Sequence, residues 1–188
     1  MEDTCGWGSD DPMMTAYHDK EWGVPVHADY LHFEFLVLEG VQAGLSWRTV
    51  LHRREAYREA YHNFDPLKVA TYNEEDIERI MNHKGVIRNR RKIEAAVKNA
   101  RVFLNVQKEF GSFDKYIWGF VGGKQRVNTF MSFAEIPSET EESRAMSRDL
   151  KRRGFTFVGA TICYAYMQAA GLVNDHLTKC YRWKEVQR

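Results

Sequence analysis

The sequence is short of cysteine and proline, with three and four respectively in 188 residues. The thiols, Cys5, Cys163 and Cys180, lie far apart and cannot all pair. That argues against a disulfide-stapled secreted scaffold and for a reducing compartment. No proline-rich linker, low-complexity stretch or internal repeat interrupts the chain. No apolar run approaches the roughly 18 residues of a membrane span. The opening Met1-Glu2-Asp3-Thr4-Cys5 is acidic and polar, and does not read as a signal peptide. Together these absences imply a cytoplasmic protein with no membrane partner. An excess of one charge is missing too: 27 Lys+Arg face 26 Asp+Glu, so only the placement of charge can speak of partners. Familiar catalytic signatures are absent. There is no glycine-flanked serine elbow, no phosphate-binding glycine loop with lysine and no His-Glu-x-x-His, and spacing locates no paired-carboxylate site.

What is present is an apolar content of 44 % and an aromatic content of 13 %, enough for a folded core in one domain or in two small lobes that share it. The pattern is helical nearly throughout. Trp47, Val50, Leu51, Tyr57 and Tyr61 fall near helical spacing behind a capping Ser46. Asp65-Pro66 reads as an N-cap followed by proline at the first helical position. Asn73 precedes Glu74, Glu75 and Asp76, acids suited to a positive helix start. Ile93, Val97, Ala100 and Leu104 make one apolar stripe; Phe113, Tyr116, Ile117 and Phe120 make a shorter one. Ser138 with Glu141 fits a capping box ahead of Ala145, Met146, Asp149 and Leu150. A last apolar helix is predicted from about Val158 to Ala170, stopped by Gly171. Residues Gly122 to Phe133 are the poorest helix candidate and read as a loop.

Charge clusters in one place. Lys84, Arg88, Arg90, Arg91, Lys92, Lys98 and Arg101 follow an acidic Glu74–Glu78 stretch and share their segment with one acid, Glu94. A helix, the turn His83-Lys84-Gly85-Val86-Ile87 and a basic helix in succession have the form of a helix-hairpin-helix. Its turn and helix start would offer backbone N–H groups and cations to phosphate. The alternative is a solvated basic helix face.

Two sets of residues can carry chemistry. His176 and Cys180 are spaced as one half of a zinc site, and Cys5 with His18 could complete a closed tetrahedral, structural set that ties the chain ends together. The alternative is two reduced thiols and two unrelated histidines. Cys163, in Thr161-Ile162-Cys163-Tyr164, reads as a small buried hydrophobe. Glu39 stands in Phe35-Leu36-Val37-Leu38-Glu39-Gly40-Val41. Buried there, it is costly without a cation or several donors. It either turns to solvent or pairs with an arginine, or it waits for a cationic ligand. Trp7, Tyr17, Trp22, Phe33, Phe35 and Trp47 are near in sequence, and an aromatic pocket with one acid suits a flat cationic heterocycle. Ordinary core packing is the alternative for most of these rings.

Cys5-Gly6-Trp7, Asp11-Pro12, Tyr17-His18-Asp19 and Glu21-Trp22-Gly23-Val24-Pro25 resemble the start of the 3-methyladenine DNA glycosylase I family. The resemblance runs on through Leu38-Glu39-Gly40, Gln42-Ala43-Gly44-Leu45-Ser46-Trp47, Asn89-Arg90-Arg91-Lys92-Ile93 and Arg153-Gly154-Phe155-Thr156-Phe157-Val158-Gly159. It closes on Thr161-Ile162-Cys163-Tyr164, Met167-Gln168-Ala169 and Gly171-Leu172-Val173-Asn174-Asp175-His176, covering nearly the whole chain in order. It implies an all-α, two-lobed helix-hairpin-helix glycosylase, one unit over 1–188 with the hairpin lobe at about 47–120 and the rest from the terminal segments. It further implies one structural zinc on Cys5, His18, His176 and Cys180, and a base pocket with Glu39 as the catalytic acid-bearing residue. Tyr17 and Trp47 would stack on the base, and Trp7 and Trp22 would shape its pocket. Gln42, Gly44 and Leu45 would enter the duplex, Leu45 as the apolar plug, and Lys84, Gly85 and Arg88 would grip the backbone. Met14 stands where some members carry a second pocket tyrosine. The expected partner is double-stranded DNA containing 3-methyladenine, acted on by a monomer that releases the base with no lyase step. A non-catalytic DNA-binding module and a metal-dependent hydrolase are the competing readings; the closed ligand set weighs against the latter.

Overall fold

The structure is a computed structural model that describes residues 5–6 and 10–187. Its helices are α1 (Pro12–Lys20), α2 (Asp29–Gln42), α3 (Trp47–Leu51), α4 (Arg54–Ala60), α5 (Pro66–Val69), α6 (Glu74–Met81), α7 (Arg90–Phe110), α8 (Phe113–Trp118), α9 (Glu141–Arg153), α10 (Ala160–Ala169) and α11 (Tyr181–Glu185). No helix among the described residues is long and apolar enough to cross a membrane.

The helix starts follow local chemistry. Asp11 caps α1, accepting from the Met13 and Met14 amides, with Pro12 first in the helix. Asp65 caps α5 ahead of Pro66 as expected, and Asn73 with Asp76 forms a full capping box on α6. Elsewhere the predicted boundaries shift. The helix expected from Ser46 through Tyr61 breaks at His52 and Arg53, where His52 reaches the Asp11 carboxylate at 2.6 Å and Arg53 donates to the Gly85 carbonyl at 3.2 Å. The box assigned to Ser138 and Glu141 is made by Thr140 and Ser143, whose hydroxyls exchange bonds with each other's amides, and Glu141 opens α9 instead. The last apolar helix starts at Ala160 because Phe157, at φ +56°, turns the chain just ahead of it. The stripe on α7 drifts from Leu104, half-buried, to Phe103 and Val106, both buried, as a 3.6-residue repeat requires. Within the loop expected at Gly122 to Phe133, β1 (Arg126–Val127) pairs in parallel with β2 (Val173–Asn174), so the fold is mostly helical and not purely so.

α2 is the central helix. Every residue from His32 to Val41 is buried, and α3, α7, α8 and α10 pack around it. A helix apolar on all sides belongs in the middle of a core. Its ends are served from outside. Lys92, in the first turn of α7, donates to the Val41 and Ala43 carbonyls at 2.7 and 2.6 Å, a cation at the negative end of α2.

The segment from Met81 to Arg90 turns tightly against α4. Tyr57 accepts the Ile87 amide at 3.2 Å, and a Cβ added at Gly85 would stand 2.2 Å from the Cβ of Ala56. Gly85→Ala should therefore lower unfolding free energy by roughly 1–3 kcal/mol through overpacking. Adding Ala56→Gly should return part of that loss, although the second change alone costs about 1 kcal/mol in a helix. Denaturant titration of the single and double variants checks this; strictly additive losses would contradict the close approach.

Candidate functional site

Of the buried polar side chains on α2, two find partners. His32 bonds Tyr166 at 2.7 Å and Asp114 at 3.1 Å, and Glu34 takes Arg54 at 2.5 Å and Arg58 at 3.0 Å. Glu39 differs. It is 3 % exposed, and its Oε2 has no hydrogen-bond partner. Burial raises its pKa to about 8, and no nearby cation opposes the shift. Buried oxygens are matched almost everywhere in proteins, so an orphan one marks a place where something else is meant to bind.

Glu39 faces a cavity of about 340 Å³, which it lines with Gln42, Ala43, Gly44 and Leu45 and, from α10, Thr161, Ile162 and Ala165. That volume lies within the usual range of small-ligand sites. The loop after α2 forms its rim. Gly44 takes φ +79°, Leu45 is 38 % exposed, and Ser46 caps α3 by accepting the Thr49 amide at 3.2 Å. That cap sets Trp47 at the start of α3, where its ring meets Tyr17 of α1 at 5.2 Å and 45°. The Trp47 indole N–H is buried without a partner. The Tyr17 hydroxyl is pushed up by burial and then by the Glu39 charge. Neither Tyr17 nor Trp47 is among the residues that line the Glu39 cavity. The wall from α10 was missed in the sequence, where the segment reads only as an apolar helix.

A second set of residues comes together elsewhere in the fold. Cys5, His18, His176 and Cys180 are all buried, with their ligand atoms within 4.8 Å of one another, an arrangement that can hold a metal ion. Cys5 Sγ lies 3.4 Å from His176 Nδ1, and Cys180 Sγ lies 3.6 Å from His18 Nε2 and 3.8 Å from His176 Nδ1. The outer nitrogens are engaged. His176 Nε2 donates to the Trp22 carbonyl at 2.9 Å, which turns Nδ1 toward the sulfurs, and His18 Nδ1 meets Asp19 at 2.7 Å. Burial pushes the Cys5 thiol up to about 12 and the His176 imidazole down to about 4, leaving a neutral ring able to ligate. Trp22 sits on this cluster, its ring 4.7 Å from that of His176. Trp7 lies outside the described residues, and Met14 is buried on α1. Tyr17 and His18 are neighbours on α1, about 100° apart, so one helix serves both clusters.

Of the candidate backbone-gripping residues, Lys84 and Arg88 are exposed and Gly85 is half-buried between them and α4. They lie on the turn between α6 and α7, whose exit is capped by Asn89 accepting from the Lys92 amide at 3.2 Å.

Residues 7–183 match the family model for methyladenine glycosylase. The chain is 51 % identical over 176 residues to DNA-3-methyladenine glycosylase 1 of Escherichia coli (strain K12), covering 94 % of each protein. A solved 3-methyladenine DNA glycosylase I superposes with a TM-score of 0.93 at 49 % identity, over 95 % of this chain and 98 % of that one. A tyrosine-to-phenylalanine variant of 3-methyladenine DNA glycosylase I, solved in complex with 3-methyladenine, matches at a TM-score of 0.93 and 34 % identity over 98 % and 97 %. With a buried acid facing a cavity and a Cys/His cluster set on a mostly helical fold, the chain belongs to the methyladenine glycosylase family.

The buried acid has a consequence for the free protein. Between about pH 4.5 and 8 the folded chain keeps a proton on Glu39 that the unfolded chain has lost. Stability from this group therefore falls as pH rises through that window. Glu39→Gln should gain roughly 1–4 kcal/mol over the wild type at pH 8 and much less near pH 4.5. Denaturant unfolding across that range is the check; a difference independent of pH would contradict a protonated, buried Glu39.

Proposed function

We propose that this chain is a base-excision repair enzyme that hydrolyses the N-glycosidic bond of 3-methyladenine in alkylated DNA, without a lyase step. The observation that carries the reading is the partnerless, buried Glu39 carboxyl facing a cavity in a chain of this family. The fold is read as two helical lobes in a helix-hairpin-helix arrangement, the hairpin lobe at about 47–120 and the base pocket between lobes.

Methylation at N3 makes the adenine ring cationic and weakens its bond to the sugar. The lesion leaves the stack at a cost of a few kcal/mol, reduced for a damaged base. Leu45, exposed on the rim, fills the vacated space, with Gln42 and Gly44 beside it. Lys84, Gly85 and Arg88 hold phosphates on the flank. In the pocket, Glu39 gives up its proton to solvent as the cation arrives and accepts from the purine's amino edge, while Tyr17 and Trp47 cover its faces. Trp7 and Trp22 would shape the pocket, Trp22 from its packing on His176. Neutral adenine offers no charge to offset the cost of ionising Glu39, so it is held less well. When the glycosidic bond breaks, the base keeps the bonding electrons and leaves neutral. The positive charge passes to the sugar carbon, water adds there, and its proton is lost to solvent. Ionic attraction to Glu39 ends with that step, which favours release of the free base.

The Cys5, His18, His176 and Cys180 cluster is read as one structural zinc site. Tetrahedral Zn–S and Zn–N bonds put sulfur and nitrogen about 3.5 Å apart, close to the separations of 3.4 to 3.8 Å between these atoms. Four protein ligands leave no position for water, so the ion would contribute charge neutralisation and cross-linking alone.

Chromatography of bases freed from methylated duplex DNA tests the activity. The wild type should release 3-methyladenine, and Glu39→Gln should do so about 10–100-fold more slowly, the equivalent of a charged interaction worth roughly 1.5–3 kcal/mol. Full activity in that variant would remove Glu39 from its role. Elemental analysis should find about one zinc per chain. Cys180→Ser should lose it with a fall in Tm of about 10 °C, near 3–4 kcal/mol for this size; a wild type free of metal, or one whose Tm is unmoved by Cys180→Ser, would contradict the zinc site.

A further inference from the structure

α7 carries cations whose commitments differ. Arg90 is shared among Glu74, Glu78 and Glu94, Arg101 donates to the carbonyls of Ala70 and Tyr72, and Lys92 holds the end of α2. Arg91 and Lys98 are exposed and make no hydrogen bond or ion pair among the described residues. They stand seven residues apart, on one face of the helix and about 10 Å from each other along it. Between this face and the Thr156-Phe157 segment lies a groove of about 490 Å³, with Ala95 in its lining. Glu94 also borders it, but its carboxylate leans to Arg90 at 3.5 Å, so the groove keeps a net positive rim.

The opposite wall is held in an uncommon shape. Phe157 has φ +56°, which a bulky side chain adopts at a cost of order 1–3 kcal/mol and which persists only where its surroundings impose it. Asn99, buried in α7, imposes it here: its Nδ2 donates to the Thr156 carbonyl and its Oδ1 accepts the Thr156 amide, both at 2.9 Å. The result is a half-buried aromatic wall whose Cβ would meet a Cβ at Gly40 at 3.4 Å, one residue beyond Glu39. Lys92, next to Arg91 in the chain, bonds the carbonyls of Val41 and Ala43, which flank Gln42.

We propose that this groove is a second backbone-gripping site for duplex DNA, in which Arg91 and Lys98 each neutralise a phosphate and Phe157 walls the intervening sugar. The proposal rests on the glycosylase reading above. It commits to phosphodiester because two exposed cations without partners give the groove a positive rim in a chain of the methyladenine glycosylase family, and phosphate is the anion such a rim meets on duplex DNA.

The test is binding of a fluorescent duplex carrying an uncleavable abasic analogue, measured against potassium chloride concentration, with release of 3-methyladenine assayed in parallel. For Arg91→Gln combined with Lys98→Gln, the plot of log affinity against log salt should be shallower by about 2, near 0.9 for each phosphate left without its cation. The charge-keeping pair Arg91→Lys with Lys98→Arg should retain the wild-type slope. In turnover the Gln pair should raise KM for duplex more than it lowers kcat. An unchanged slope in the Gln pair, with an active wild type, would overturn the groove alone and leave those cations for another acidic partner. A wild type that binds duplex but frees no base would overturn the glycosylase reading instead, and the slope would still decide the groove.

Discussion

A carboxyl group shut away from water with no partner of its own is the constraint on which the rest of the structure depends. Leaving Glu39 in that state costs the free protein stability, and the pKa near 8 measures the cost as a preference for the neutral acid. The fold tolerates it because α2 is held on every side. Its other buried acid, Glu34, is answered by Arg54 and Arg58, and its C-terminal carbonyls are answered by Lys92. At Glu39 the match is withheld, and a cationic purine is a ligand that would supply it. In the proposed reading selectivity comes from charge: a neutral base could not offset the ionisation that a cationic one induces.

The Cys/His cluster bears on the same site through a single helix. α1 sets Tyr17 against Trp47 and His18 against Cys180, so whatever fixes His18 also helps to fix the Tyr17 ring. The carboxy-terminal half of the cluster is held as firmly. Asn174 binds the Trp183 carbonyl and the His176 amide, and Asp175 accepts from Tyr164, Gln168 and Asn128. Chain ends remote in sequence are thereby joined in one buried cluster. In the proposed reading small displacements of these rings matter, because a flipped base would have to be matched on both faces and at its edge at once.

Much of this was legible in the sequence because each signal is local. Glu39 stands out because its neighbours are apolar on both sides; Asp65-Pro66 and Asn73 announce their helices through side-chain geometry that needs no tertiary context. The failures share a cause as well. Thr140 replaced Ser138 as the cap since either hydroxyl could serve and only the reciprocal bond to Ser143 chose between them. The break at His52 and Arg53 answers bonds to Asp11 and Gly85, which lie far off in sequence. Two-residue strands carry no periodicity to read. Thr161, Ile162 and Ala165 line the cavity because α10 packs on α2, which no local pattern encodes. The family resemblance gave Trp22 a pocket-shaping role, and its contact with the His176 ring is one that no local pattern encodes. Phe157 is the opposite case: its backbone strain is invisible in the sequence and obvious in the fold.

The most direct measurement is the titration of the Glu39 side-chain carboxyl itself, followed by carbon-13 NMR in the free protein and with a permanently cationic 3,9-dimethyladeninium ion bound. The account predicts a midpoint near 8 in the free protein and a fall of about two units or more once the cation is seated. A midpoint at the ordinary glutamate value in the free protein, or one that the cation leaves unmoved, would contradict it.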